Sequence, residues 1–167
     1  EPVGQVRMRL SGRTHWTDLR GPTRCELLTE PEADAVIARL GPDPLRRDAR
    51  PELAWQRIAR SRTSIAALLM DNKVLSGVGN VYRAEVLFRH GVTPMLAGRD
   101  LDEALWKAMW DDLVALLPLG VAFGQIITLE DQVEEAREIL AAQGAPAGPA
   151  GVHGDDVAGA VNLPLRE

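Results

Sequence analysis

The sequence predicts an α+β fold, and three observations carry that reading. Val6, Met8 and Leu10 alternate with Arg7 and Arg9, the period-2 pattern of a strand with one wet face. From Pro51 onward the apolar residues recur at helical spacing. Between the two, residues 41–51 (GPDPLRRDARP) hold three prolines and a glycine, the composition of a linker joining two modules. The 167 residues suffice for one ordinary domain or two small ones, and 46% of them are apolar, enough to form a core. Aromatics make up only 4%, so that core is built from Leu, Val, Ile and Ala.

The elements follow in order. After the strand at 6–10, the Ser11-Gly12 turn leads to a second strand at 14–19, which Gly21-Pro22 ends. A third strand fits 24–28. Thr29 and Glu32 have capping-box spacing, and the helix they open sets Ala33, Val36, Ile37 and Leu40 on one face. Past the linker, Pro51 suits a first helical turn, followed by Leu53, Ala54 and Ile58. Thr63 or Ser64 caps a short helix that ends near Asp71. A further helix spans 80–89, and Gly91 is placed to stop it. Asp100 with Glu103 caps the next, whose stripe of Leu101, Leu105, Ala108, Met109, Leu113 and Leu116 faces a core. Trp106 and Trp110 on this helix read as packing or partly exposed residues rather than base-stacking ones. Thr128 with Asp131 caps a last helix to about 143, with Val133, Ala136 and Leu140 on one face. Residues 144–154 (GAPAGPAGVHG) have the composition of a flexible linker.

Composition narrows the function classes. The single cysteine, Cys25, excludes an internal disulfide and favours the cytosol over a secreted scaffold. Cys25 and three scattered histidines (His15, His90, His153) do not have zinc-site spacing, so no metal or other cofactor is expected in this chain. No apolar run approaches the ~20 residues that span a bilayer, and the opening residues do not read as a leader. Net charge is −5, but its distribution is uneven. Residues 1–56 are neutral overall, 57–99 carry +5, 100–127 carry −4 and 128–167 carry −6.

That basic segment surrounds the turn Gly77-Val78-Gly79-Asn80. Two glycines and an Asn at the mouth of a helix expose backbone N–H groups at a positive dipole end, which suits a phosphate. Glycine lets a backbone approach a ligand closely, the Asn80 amide can donate to a phosphate oxygen, and Lys73 and Arg83 can add counter-charge. The competing reading is a plain helix connection in which Asn80 is an ordinary N-cap. A dinucleotide fingerprint fits poorly, because G-V-G-N-V-Y lacks the third glycine and follows no parallel-strand pattern.

The flanks separate these readings. The string L-L-M-D-N, four residues, G-V-G-N-V-Y, two residues and E, then L-F-R-x-G-V-x-P, resembles the helix–two-turns–helix module of the formamidopyrimidine-DNA glycosylase and endonuclease VIII family. Residues 40–45 (LGPDPL) resemble the segment joining that family's N-terminal β-sandwich to its helical domain, and residues 1–28 resemble the sandwich's last strands. The similarity covers about residues 1–127 and is nearest the actinobacterial endonuclease VIII-like branch. It implies four segments: the end of a β-sandwich domain at 1–40, a linker at 41–51, a helix–two-turns–helix DNA-binding domain at 52–127 and a divergent acidic tail at 128–167.

The resemblance also implies a function. The family excises oxidised bases from DNA through an N-terminal proline that forms a Schiff base at the sugar C1′, with a glutamate beside it, and cleaves the strand by β- and δ-elimination. The base is flipped out of the duplex for this chemistry. A β-domain lysine, an arginine of a C-terminal zinc finger and the turn asparagine hold the phosphates. Of these, the chain matches the asparagine as Asn80, with Gly79, Tyr82 and Glu85 beside it. Pro2 follows Glu1, so its nitrogen is an amide and no Schiff-base nucleophile, and four zinc-finger cysteines are lacking. Asp18-Leu19-Arg20 is similar to an Asp-x-Arg of the family's void-filling loop, which makes Arg20 a candidate there; an Asp18–Arg20 structural pair is the competing reading.

The expectation is a catalytically silent fragment of a bifunctional DNA glycosylase and AP lyase. It would bind damaged or abasic double-stranded DNA as a monomer, without a membrane, and zinc would belong to the parent protein's finger. The alternatives are a non-catalytic nucleic-acid-binding module, like the helix–two-turns–helix units of ribosomal and topoisomerase proteins, and a helical protein-interaction domain with an acidic arm.

Overall fold

The computed structural model describes residues 4–21 and 25–143. Two strands, β1 (Val6–Ser11) and β2 (Trp16–Arg20), precede six α-helices in the described residues. The helices are α1 (Glu30–Ile37), α2 (Pro51–Ile58), α3 (Ile65–Leu68), α4 (Asn80–Arg89), α5 (Glu103–Phe123) and α6 (Glu130–Ala142). The α+β class therefore holds. The chain divides into two compact units between Ala38 and Arg39.

In the first unit β1 and β2 form an antiparallel hairpin, with a register irregularity between Val6 and Met8. Arg9 faces Asp18 across the strands and binds both carboxylate oxygens, at 2.6 and 2.9 Å. The Arg9 guanidinium also lies 4.3 Å from the Trp16 ring centre, a cation–π contact. The strand expected at 24–28 does not form in its described part, 25–28. Leu27 is 99% exposed, so its side chain has no sheet face to pack on, and an unpaired strand has little stability. The implied β-sandwich is thus a two-stranded sheet among the described residues. α1 opens as its capping box requires, with Glu32 accepting from the Thr29 N–H at 2.8 Å.

The second unit holds the core. Its centre is α5, 21 residues long, which packs on α2, α4 and α6. Met109, Leu113, Leu116 and Leu117 of α5 are buried with Ile58, Ile65, Leu75 and Val86. Trp106 and Trp110 are buried too, with ring centres 6.0 Å apart, as packing residues. The cap of α5 is Asp102 rather than Asp100, because 98–100 wind into a 3-10 turn first. Its carboxylate accepts from the N–H groups of Ala104 and Leu105 at 2.8 and 3.2 Å. An interior proline costs a helix about 3 kcal/mol, yet α5 continues through Pro118. Leu119 and Phe123 beyond it are buried, and Gly124 ends the helix in the left-handed region at φ 65°.

Residues 41–51, expected as a linker, are a packed part of the second unit. Gly41 and Pro44 are buried. The Gly41 N–H donates to the Asn72 carbonyl at 2.8 Å, and the Ser76 hydroxyl donates to the Gly41 carbonyl at 2.8 Å. Prolines here set a rigid path against the 72–78 turn instead of a flexible tether. The described part of the expected tail is also packed: α6 buries Val133 and Ala136, and α5 is its neighbour. Its cap position is Leu129, one residue past the expected Thr128. The linker expected at 144–154 lies outside the described residues.

Candidate nucleic-acid interface

The turn ahead of α4 is held from below. Asp71 accepts from the Lys73 N–H at 2.9 Å through its side chain and from Val74 and Leu75 through its carbonyl. Val74, Leu75 and Val78 are buried, so the turn's apolar side chains anchor it while Gly77, Gly79 and Asn80 face outward. Gly77 has φ 82°, and a β-carbon there would lie 2.8 Å from Asp43 Oδ1. Gly79 has open space where a side chain would be. Gly79 rather than Asn80 is the N-cap, at φ −93°, and no side chain caps the helix.

Asn80 is therefore the first helical residue and does not bond its own backbone, which removes the plain-cap reading. The first helical bond runs from the Arg83 N–H to the Gly79 carbonyl at 3.0 Å. The N–H groups of Asn80, Val81 and Tyr82 thus start α4 without an acceptor among the described residues. The Asn80 side chain is exposed beside them. Arg83 lies one turn along, part-buried, with its Nε buried and unpartnered. Lys73 is exposed on the preceding turn and makes no ion pair among the described residues. The fold thus gathers Gly79, Asn80 and Arg83 on one helix end, with Lys73 on the turn that supports it.

Tyr82 points into the fold. It is 9% exposed, its hydroxyl is buried without a hydrogen-bond partner, and burial raises its pKa. The ring sits against Gly120 of α5. It orients the turn from within and offers no outward donor. Glu85 is part-buried on the same helix. Arg20 belongs to the first unit, where its guanidinium is 2.8 Å from Asp18, so the structural pair is present. Sequence reasoning missed Gly41, Asp43, Ser76 and Gly120 as supports of the turn. The one sequence signal that could have pointed to them is the glycine inside a helical pattern at 120.

Among the described residues no group of three or more His, Cys, Asp and Glu could hold a metal ion, and Cys25 is exposed and free. These residues do not fit a four-cysteine zinc finger. No helix among the described residues is long and apolar enough to cross a membrane.

Comparison with known proteins agrees with this geometry. The model of the formamidopyrimidine-DNA glycosylase H2TH domain matches residues 40–131. Over 132 residues the chain is 54% identical to Endonuclease 8 1 of Mycobacterium tuberculosis (strain ATCC 25618 / H37Rv), covering 79% of this chain and 49% of that protein. It is 30% identical over 103 residues to the formamidopyrimidine-DNA glycosylase of Psychromonas ingrahamii, covering 62% of this chain and 38% of that one. The chain spans about half the length of the endonuclease relatives it matches. Among solved structures, the Lactococcus lactis Fpg complexed with abasic-site DNA shares the fold at a TM-score of 0.51 and 21% identity, covering 57% of this chain and 35% of that one. Turn, flanks and relatives converge: this chain belongs to the formamidopyrimidine-DNA glycosylase and endonuclease VIII family.

Proposed function

We propose that the chain serves base-excision repair as the DNA-holding part of a DNA glycosylase and AP lyase, acting in the cytosol on duplex DNA that carries a damaged or abasic site. The observation that supports this best is the uncapped start of α4. Three N–H groups without a protein acceptor among the described residues and an exposed Asn80 amide form a donor set suited to an anion at a positive helix end. Glycines at 77 and 79 keep side chains out of the way. In this reading Asn80 and the first N–H groups of α4 grip one phosphate, Arg83 and Lys73 add charge, and Tyr82 fixes the helix end from beneath. Rigid placement of a backbone phosphate beside a lesion gives register without reading sequence.

A polypeptide of these 167 residues is expected to hold DNA without cutting it, because the residues gathered at the helix end, Gly79, Asn80 and Arg83, offer phosphate contacts and no nucleophilic amine. The test is fluorescence anisotropy with a duplex bearing a tetrahydrofuran abasic-site analogue. Asn80→Ala should weaken binding about tenfold or more, in line with ~1.5–3 kcal/mol for a hydrogen bond to a charged group. Equal binding by the variant would refute the phosphate grip. Borohydride trapping on an abasic duplex should give no covalent adduct, and an adduct would refute the silent reading.

A further inference from the structure

The seven cations of residues 57–99 do different work. Arg89, at the end of α4, is fully engaged within the fold: it binds Asp112 at 2.7 and 3.2 Å, Glu130 at 3.0 Å and the Thr128 carbonyl at 3.1 Å. Lys73 and Arg83 belong to the turn described above. The remaining four are Arg57, Arg60, Arg62 and Arg99, all exposed. Arg57, Arg60 and Arg62 have no carboxylate partner among the described residues, and Arg99 has only a loose contact with Asp100, 3.6 Å apart, both half exposed.

These four are not scattered. Arg57 lies in the last turn of α2, three residues before Arg60. Arg60 and Arg62 sit in the loop from α2 to α3, and backbone bonds lock that loop. The Ser61 N–H donates to the Ile58 carbonyl at 2.9 Å, and the Thr63 N–H donates to the Ser61 hydroxyl at 3.1 Å. The segment carrying Arg99 is clamped alongside: the Gly98 N–H donates to the Thr63 carbonyl at 3.0 Å and the Arg99 N–H to the Ser61 carbonyl at 2.9 Å. Gly98 is buried, and a β-carbon there would come within 2.6 Å of the Ile58 carbonyl oxygen, so only glycine permits this approach. The fold therefore holds like charges side by side on a rigid ledge, an arrangement that repels itself unless a polyanion covers it.

We infer that Arg60, Arg62 and Arg99 form a second phosphodiester-binding ledge, separate from the Asn80 turn and taking a different contact on the DNA backbone. The inference rests on the DNA-binding reading above. Charge complementarity selects the partner. The ledge offers guanidinium groups only, since the N–H groups of Ile65 and Ala66 that begin α3 are already bonded to Leu96 and Pro94. Guanidinium pairs suit phosphate, carry no base information and release counterions on binding. The residues to be changed consequently differ in kind: the Asn80 amide is neutral, whereas the ledge arginines are ionic.

Salt dependence separates them. The full 167-residue chain would be titrated with a fluorescein-labelled undamaged duplex over a range of NaCl concentrations. Each neutralised phosphate contributes about 0.9 to the slope of log K against log salt. Arg60→Gln with Arg62→Gln should lower that slope by roughly 2, on the same basis. Arg60→Lys with Arg62→Lys should keep it, and thermal melts of both variants confirm that they fold. An unchanged slope in the folded glutamine variant overturns the ledge. Asn80→Ala should lower affinity at every salt concentration with the slope preserved; no loss there overturns the Asn80 grip and leaves the ledge standing. Failure of the wild-type chain to bind DNA at low salt overturns both.

Discussion

The Tyr82 phenol lies directly over Gly120, in the volume that any side chain at 120 would occupy. Tyr82 is the third residue of α4 and Gly120 is in the last turn and a half of α5, so the N-terminal end of α4 rests on the main core helix at this point. Gly120→Ala gains ~1 kcal/mol of helix propensity but overpacks the ring, at a cost of ~1–3 kcal/mol. The variant is expected to be less stable in urea unfolding and to bind DNA more weakly, because the turn is displaced. Tyr82→Phe should behave oppositely. It removes a buried hydroxyl that has no partner, so the chain should be as stable or more stable, with DNA affinity unchanged. Weaker DNA binding by a stable Tyr82→Phe variant would show the hydroxyl reaching DNA.

Asn80 and Asp102 both begin helices, yet only Asp102 caps one. Asp102→Ala should cost about 1 kcal/mol of stability, since two N–H groups lose their acceptor. Asn80→Ala should leave the melting temperature unchanged or slightly raised, because Asn80 sits inside the helix and alanine is the better helix former there. A drop for Asn80→Ala comparable to that for Asp102→Ala would restore the cap reading and weaken the case for a ligand.

These two helix starts also mark what the sequence could convey. Apolar spacing placed α2, α4, α5 and α6 to within a few residues, because each buries one face and the pattern records it. The caps drifted: Asp100 and Thr128 had the right chemistry, but a 3-10 turn and a one-residue offset moved the true caps to 102 and 129. Residues 41–51 misled for a different reason. Proline and glycine announce irregular backbone, but whether that backbone is loose or pinned depends on partners 30 residues away, here Asn72, Val74 and Ser76. At the candidate site, the glycines and Asn80 were legible as an exposed turn at a helix start. The inward direction of Tyr82 was not, because it is set by a glycine on another helix.

The relation between Gly77 and Asp43 shows how tight that pinning is. Asp43 Oδ1 accepts from the Leu45 N–H at 2.9 Å, which holds the carboxylate under the turn. Gly77 combines φ 82° with a β-carbon position 2.8 Å from that oxygen. Gly77→Ala meets both penalties, the left-handed backbone at ~1–2 kcal/mol and the contact with the carboxylate. It should lower the melting temperature by several degrees. In the Asp43→Ala background the same change should cost less, by the steric share alone. Equal costs in both backgrounds, read from a double-mutant cycle, would mean that the two residues do not touch.

The hairpin should respond to acid through Asp18. The Arg9 guanidinium, hydrogen-bonded to both Asp18 oxygens, holds that carboxyl below its ordinary range, and the nearby Arg20 adds to the effect. A carboxyl depressed on folding stabilises the folded form above the unfolded value, about 3.9 for Asp. That contribution disappears as pH falls below this value and through the lower folded one. Between pH 5 and 8 the hairpin's stability should therefore be insensitive to this group, and loss should begin only under stronger acid. NMR titration of the Asp18 carboxyl should give a midpoint below the usual Asp value, and amide exchange of β1 and β2 should accelerate over the same range. Asp18→Asn should flatten that acid dependence while lowering hairpin protection at neutral pH, since Arg9 loses its anionic partner. A midpoint at the ordinary Asp value in the wild-type chain would show that the Arg9–Asp18 pair does not persist in solution.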